Sequence, residues 1–241
     1  MSALSTRFYQ SEPLSSEKGL IEATAECISK RPATTAVMIY NTIDWLRLGG
    51  LVSAQNERAN QLHFHATCFR NFHSGPFRVL ARANDSSKAM KEVLRAPSTK
   101  SLTKCIRSYN SLIGPVYEIA ELCTKIIFHI PYESIRTLSG IGGVSLTIWA
   151  GWNAVDNFFD LMKDQEDTLL HILYLAKHIS YLAFGAIWAS ADCFNLVAPG
   201  ICFTALVTSC LVLSTLVYYH ENLWKGKEVN KFLAGDLPLY S

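Results

Sequence analysis

Apolar positions are arranged in two ways along this chain. Up to about residue 136 they come in short stretches broken by polar runs and by proline or glycine. Beyond it they form long stretches almost free of charge. In the first part, Thr34 to Leu48 (TTAVMIYNTIDWLRL) sets Ile39, Ile43 and Leu46 three and four residues apart, with Met38, Thr42 and Trp45 beside them. That spacing predicts a helix with one buried face. Arg31-Pro32 ends a short helix over 20–30, and Gly49-Gly50 caps the helix that follows. A helix over 53–72 is expected to break at Ser74-Gly75-Pro76, and one over 77–83 at Asn84-Asp85-Ser86-Ser87. Another runs from Lys88 to Arg95 and stops before Pro97, and the last spans about Ser98 to Ile130 with a bend at Gly114-Pro115. Nothing alternates cleanly enough for a strand, so the expected fold class is all-α.

Three apolar segments follow. Thr137 to Val155 has 19 residues without a charge, and Thr168 to Ala191 has 24 with the single formal charge of Lys177. Cys193 to Tyr219 has 27 with none, and Pro199-Gly200 suits the start of a helix of about 20 residues, the length that crosses a bilayer. Tyr218, Tyr219 and Trp224 match an interfacial aromatic belt, with Lys225, Lys227 and Lys231 next to it. The glycine-rich Thr137 segment fits either a span or a packed, re-entrant helix. Three spans place the two Lys/Arg-rich flanks on opposite sides. A hairpin of the second and third segments places them together, as the bias of positive charge toward one side prefers. The expected architecture is therefore a helical membrane protein with a basic helical first half and a C-terminal transmembrane hairpin of two spans, or three if the Thr137 segment also crosses. Its divisions are a tail with a short helix (1–33), a basic helical region (34–136), an apolar membrane region (137–219) and a short basic tail (220–241).

Charge sharpens this division. The 241 residues carry 22 Lys/Arg and 20 Asp/Glu, and only 17 % are charged against a usual share of about 25 %. Residues 1–136 hold 17 Lys/Arg and 11 Asp/Glu, a net of +6, whereas residues 137–241 hold 5 and 9, a net of −4. The Ser-rich start, MSALSTRFYQSEPLSSEKG, has no continuous apolar run and reads as an exposed tail rather than a secretory signal. Seven scattered cysteines with no CxxC argue against a disulfide framework.

Between Arg70 and Arg107 there are nine Lys/Arg against Asp85 and Glu92. Beside a membrane anchor this favours anionic headgroups or a partner protein, with Arg70, Arg78, Arg82, Lys88, Lys91 and Arg95 as the candidate contacts; an ordinary solvated face is the other reading. No stacking motif for RNA or other nucleic acid accompanies it. Within the apolar half, His171, Tyr174 and His178 form a polar stripe and Lys177 sits beside it. An ionisable residue in a span is a candidate site for transport or catalysis, unless Lys177 snorkels or pairs with Asp156 or Asp160. His63, His65, Cys68 and His73 lack a zinc-ligand spacing. The GIGG run at Gly140–Gly143 suits helix packing better than phosphate binding. No catalytic motif stands out, so no cofactor is expected and the leading reading is a non-enzymatic anchor or scaffold.

The stretch MSALSTRFYQSEPLSS and the paired apolar block Ile179–Tyr219, turning near Asp192–Pro199, resemble the inclusion membrane proteins of chlamydiae. The resemblance implies type III secretion into a host vacuole membrane, with both chain ends facing the host cytosol.

Overall fold

The computed structural model describes residues 31–128, 130–163 and 168–221, and among them there is no strand. Six α-helices follow in order: α1 (Pro32–Leu48), α2 (Glu57–Arg95), α3 (Thr99–Leu122), α4 (Arg136–Lys163), α5 (Thr168–Phe194) and α6 (Gly200–Tyr219). A π-helical turn, Cys123–Phe128, prolongs α3, and a 3-10 turn, Tyr132–Ile135, leads into α4. The short helix expected over 20–30, the tail before it, and Trp224 with Lys225–Lys231 lie outside the described residues.

Local chemistry sets the ends of these helices. Pro32 opens α1, where its missing N–H costs nothing. Gly50, at φ +71°, supplies the left-handed turn that lets the amides of Leu51 and Val52 both reach the Leu46 carbonyl. Asn56 caps α2 by accepting from the Ala59 amide, and Ser98 and Ser101 form a reciprocal capping box on α3. Pro199 introduces α6 as expected.

The ends expected at Gly49-Gly50 and before Pro97 occur, but the breaks expected at Ser74–Pro76 and Asn84–Ser87 do not. α2 is one helix of 39 residues that passes through Gly75-Pro76 and through Asn84–Ser87. A proline inside a helix costs about 3 kcal/mol, so something must hold α2 together there. Ion pairs to α3 straddle the break, Arg70 to Glu121 before it and Arg78 to Glu118 after it, each at 3.3 Å. Gly75 seats against Ile119 between them. Further along, the small residues Ser86 and Ala89 are buried in place of the expected loop. α3 likewise absorbs Pro115 within its helical span.

Each helix packs mainly on the one before and the one after, and α1 also packs on α6, closing an antiparallel ring. Asp44 meets His63 across α1 and α2. Asn110 and Ser145 exchange side-chain-to-backbone bonds across α3 and α4 at 3.0 and 2.7 Å. Tyr181 meets Ser214 across α5 and α6. The ring closes where Asn41 and Trp45 both donate to the Thr208 hydroxyl at 2.9 and 2.8 Å. At the opposite end of α1, the Arg31 guanidinium lies 4.6 Å over the Tyr218 ring, so the described chain enters and leaves at the same end of the bundle. Residue 136 is thus no packing boundary. One central cluster joins Val37 and Tyr40 of α1, Ala66 of α2, Tyr117 of α3, Leu146 of α4, Phe184 of α5 and Leu211 of α6.

The closest approach is between α4 and α5. A Cβ on Gly143 would stand 2.7 Å from the Ala189 amide nitrogen, and one on Gly185 would stand 2.9 Å from the Thr147 amide nitrogen. The glycines of the GIGG run and Gly185 therefore let two backbones touch, the small-residue packing common between membrane helices.

α5 and α6 are both long and apolar enough to cross a membrane. Burial around the bundle is inverted in several places. Arg70, Asn71, Glu118, Glu121, Lys177 and His178 are buried, whereas Phe72 and Leu80 of α2 and Met162 of α4 are at least 66 % exposed. In α1 the expected stripe is rotated: Ile39 faces out, and Ala36, Val37 and Tyr40 lie with Ile43 in the interior.

Candidate functional site

Two buried polar clusters and one basic end hold the residues that the sequence singled out. The first cluster joins α1, α2 and α3. Arg70 bonds to the side chain of its neighbour Asn71, to the Tyr40 hydroxyl at 3.2 Å and to Glu121 at 3.3 Å. The Asn71 amide donates to the same Glu121 oxygen at 2.8 Å. One turn earlier along α3, the fully buried Glu118 accepts from Arg78 through both carboxylate oxygens at 3.3 and 3.4 Å. Burial pushes the Tyr40 phenol up to about 12 against the opposing field of Arg70, so Tyr40 stays neutral. Burial also lowers Arg78, and the Glu118 charge opposes that shift.

These contacts correct one expectation. Arg70 and Arg78 are not available to lipid headgroups, because both turn inward and are engaged by carboxylates of α3. A positive charge on an exposed-looking helix reads as a surface group unless its acidic partner, 40 or more residues away, is known. Arg82 is half-buried, and Lys88, Lys91 and Arg95 are exposed at the far end of α2. Lys100 and Lys104 at the start of α3 join them, with Lys104 reaching Glu92 at 2.6 Å.

The second cluster lies on α5. Lys177 is fully buried and does not snorkel; its Nζ stands 4.7 Å over the Tyr174 ring. The Tyr174 and His178 rings stack at 6.2 Å with planes 8° apart, as their spacing implies. His178 Nδ1 is 3.0 Å from the Asn157 amide nitrogen of α4, and its ring meets Trp149 edge-on. The Tyr174 hydroxyl donates to Glu221 just beyond α6. His171, one turn before Tyr174, is half-buried. Asp156, offered as a partner for Lys177, instead takes Arg107 at 2.6 Å.

A polar cap at the other end of α5 was not foreseen. Asp192 accepts from the Ser139 hydroxyl at 2.6 Å and from the Trp188 indole at 2.8 Å. Arg136 donates to the Ala191 carbonyl and to Asn195, the one described non-glycine residue at positive φ. Trp188 and Asp192 sit four apart, a pairing visible in the sequence, but Ser139 and Arg136 reach them only through the α4–α5 contact.

The histidine-cysteine set does not assemble. His63 goes to Asp44 and the Tyr40 ring, His65 lies beside Phe64, and His73 tilts on Phe69. Among the described residues no group of three or more His, Cys, Asp or Glu is placed to hold a metal ion. Two open grooves line the bundle, about 390 Å³ between α1 and α2 and about 690 Å³ between α3 and α4, and both are walled mainly by apolar side chains. Compared with known proteins, the chain matches no protein-family model, no curated protein and no solved structure.

Proposed function

We propose that this chain is a non-enzymatic integral membrane protein, an anchor that presents a basic end to anionic headgroups or to a partner protein. The observation that carries this reading is the use made of the interior charges. Glu118 and Glu121 are each engaged by an arginine of a neighbouring helix, and the two grooves are lined mainly by apolar groups. Buried ion pairs of this kind fix helix register. The basic end, Lys88, Lys91, Arg95 and Lys100, lies where α2 turns back into α3. Each cation near an anionic surface contributes about 1 kcal/mol, and salt screens that attraction beyond about 8 Å.

The α5–α6 pair and its short connection support the resemblance to inclusion membrane proteins, and on that basis the membrane is a host vacuole membrane reached by type III secretion. A second reading, a small transporter or membrane enzyme, draws on Lys177 held over Tyr174 beside His178 in a span, with His171 one turn away.

Vesicle capture tests the leading reading. Full-length protein in nanodiscs of phosphatidylcholine is expected to capture vesicles containing phosphatidylserine at low salt and to release them at high salt. The combined variant Lys88→Gln, Lys91→Gln, Arg95→Gln is expected to lose most of that capture. Equal capture of neutral and anionic vesicles, or capture of neither, contradicts the headgroup role. Lys177→Leu separates the two readings: unchanged capture with equal or better insertion supports the anchor, and lost function with intact insertion supports the second reading.

A further inference from the structure

We infer that lipid acyl chains cover the outer faces of α3 and α4, so that these two helices form a second membrane-crossing hairpin beside α5–α6. The inference rests on the reading that α5 and α6 lie in a bilayer.

α4 is only moderately apolar on average because glycine, serine, threonine and asparagine dilute its apolar residues, and it is inside-out. Its buried face is Ser139, Gly140, Gly142, Gly143, Ser145, Leu146 and Ala150, residues that let α3 and α5 approach. Its outer face is Ile141, Val144, Ile148, Val155, Phe158 and Met162, each at least 43 % exposed. In a water-soluble bundle the two sets would be exchanged. Between Arg136 and Asp156 the helix carries no charge and rises about 30 Å at 1.5 Å per residue, close to the roughly 30 Å thickness of a hydrocarbon core. Charged groups bound this stretch: Arg136 with Asp192 at one end, and Asp156, paired to Arg107, with Asp160 and Lys163 at the other.

α3 repeats the pattern. Ile106, Tyr109 and Val116 face out beyond the exposed Lys104 of the basic end, whereas Asn110, Glu118 and Glu121 are buried. Between Arg107 and Glu118 it carries no charge, and Glu118 points to Arg78 in the interior. Between the two helices runs the open groove of about 690 Å³, walled by Ile106, Tyr109, Ile113, Val116, Leu138 and Ile141. A groove this apolar, one of whose walls packs on a candidate span, has the dimensions and chemistry of an acyl-chain slot. The pair crosses and returns, so it adds an even number of crossings and leaves both ends of the described chain on one side, as the Arg31–Tyr218 contact requires.

Site-specific photo-crosslinking of the full chain in its membrane tests the inference. A benzophenone amino acid replaces, one at a time, Ile148 on α4, Ile106 on α3, Val212 on α6 and Leu94 at the basic end, all exposed positions that tolerate a larger side chain. Intact-mass analysis then detects lipid adducts. The expected result is lipid adducts at Ile148 and Ile106 at yields like that of Val212, with none at Leu94. Adducts at Val212 but none at Ile148 or Ile106, or covalent dimers there in place of lipid, overturn the inference while sparing the hairpin. No lipid adduct at Val212 either overturns the membrane reading itself. Ile148→Arg gives an independent measure, since a charge aimed into hydrocarbon is expected to lower the inserted share about ten-fold or more. Unchanged insertion of that variant contradicts lipid contact.

Discussion

α6 and α4 both pack on α5 and present apolar surface in opposite ways. α6 is apolar on every side, with a mean hydropathy of 2.1, so its fitness to cross a membrane follows from composition alone. α4 segregates its residues: glycine and serine meet α5, and isoleucine, valine and phenylalanine face outward. Averaged over its length, α4 looks only moderately apolar, although the surface it presents to its surroundings resembles that of α6. What a helix contributes to a membrane protein depends on which way its residues point.

The largest effect is expected where the interior charges are unbalanced. Glu118→Leu leaves Arg78 buried without the carboxylate that receives it, a loss of about 3–5 kcal/mol. The double variant Glu118→Leu, Arg78→Leu should recover most of it, because replacing both partners removes the stranded charge. Thermal unfolding in detergent, followed by helical circular dichroism, reads both, and no recovery in the double variant would remove the ion pair as the cause.

Next comes the α4–α5 contact. Gly143→Ala places a methyl 2.7 Å from the Ala189 backbone, which cannot give way as a side chain can, for an expected cost of about 1–3 kcal/mol. Gly151→Ala, whose added carbon meets only Leu182 Cδ1 at 3.5 Å, is the control and should change little. Equal melting points for the two variants would show that the backbones are not in close contact.

A smaller effect is expected from Asn110→Ala, which removes the donor to the Ser145 carbonyl between α3 and α4, at about 1 kcal/mol. Smallest for stability is the triple exchange of Lys88, Lys91 and Arg95 to Gln at the exposed basic end, within about 0.5 kcal/mol, while vesicle capture falls. A large loss of stability in that variant would mean those residues support the fold rather than a docking surface.

How much of this was legible beforehand follows the same division. α6 could be read almost to the residue, because 27 uncharged positions after Asp192 and a Pro-Gly start carry their own signal. The Tyr174–His178 stack followed from helical spacing. The continuity of α2 could not be read, since Gly75-Pro76 is a local break that only the distant carboxylates Glu118 and Glu121 bridge. Arg70 and Arg78 were misplaced for the same reason. The rotated face of α1 has a different cause. The rule that apolar residues turn inward selects Ile39, whereas the interior takes the small Ala36 and the hydrogen-bonding Tyr40 and leaves Ile39 outside.

The central claim is a ring of antiparallel helices that crosses the membrane an even number of times, so that both chain ends emerge on one side. Epitope tags placed before Met1 and after Ser241 in sealed vesicles, exposed to protease with and without detergent, test it most directly. The account predicts a common fate for the two tags, both cleaved or both protected until detergent is added. One tag cleaved and the other protected would require an odd number of crossings and would contradict it.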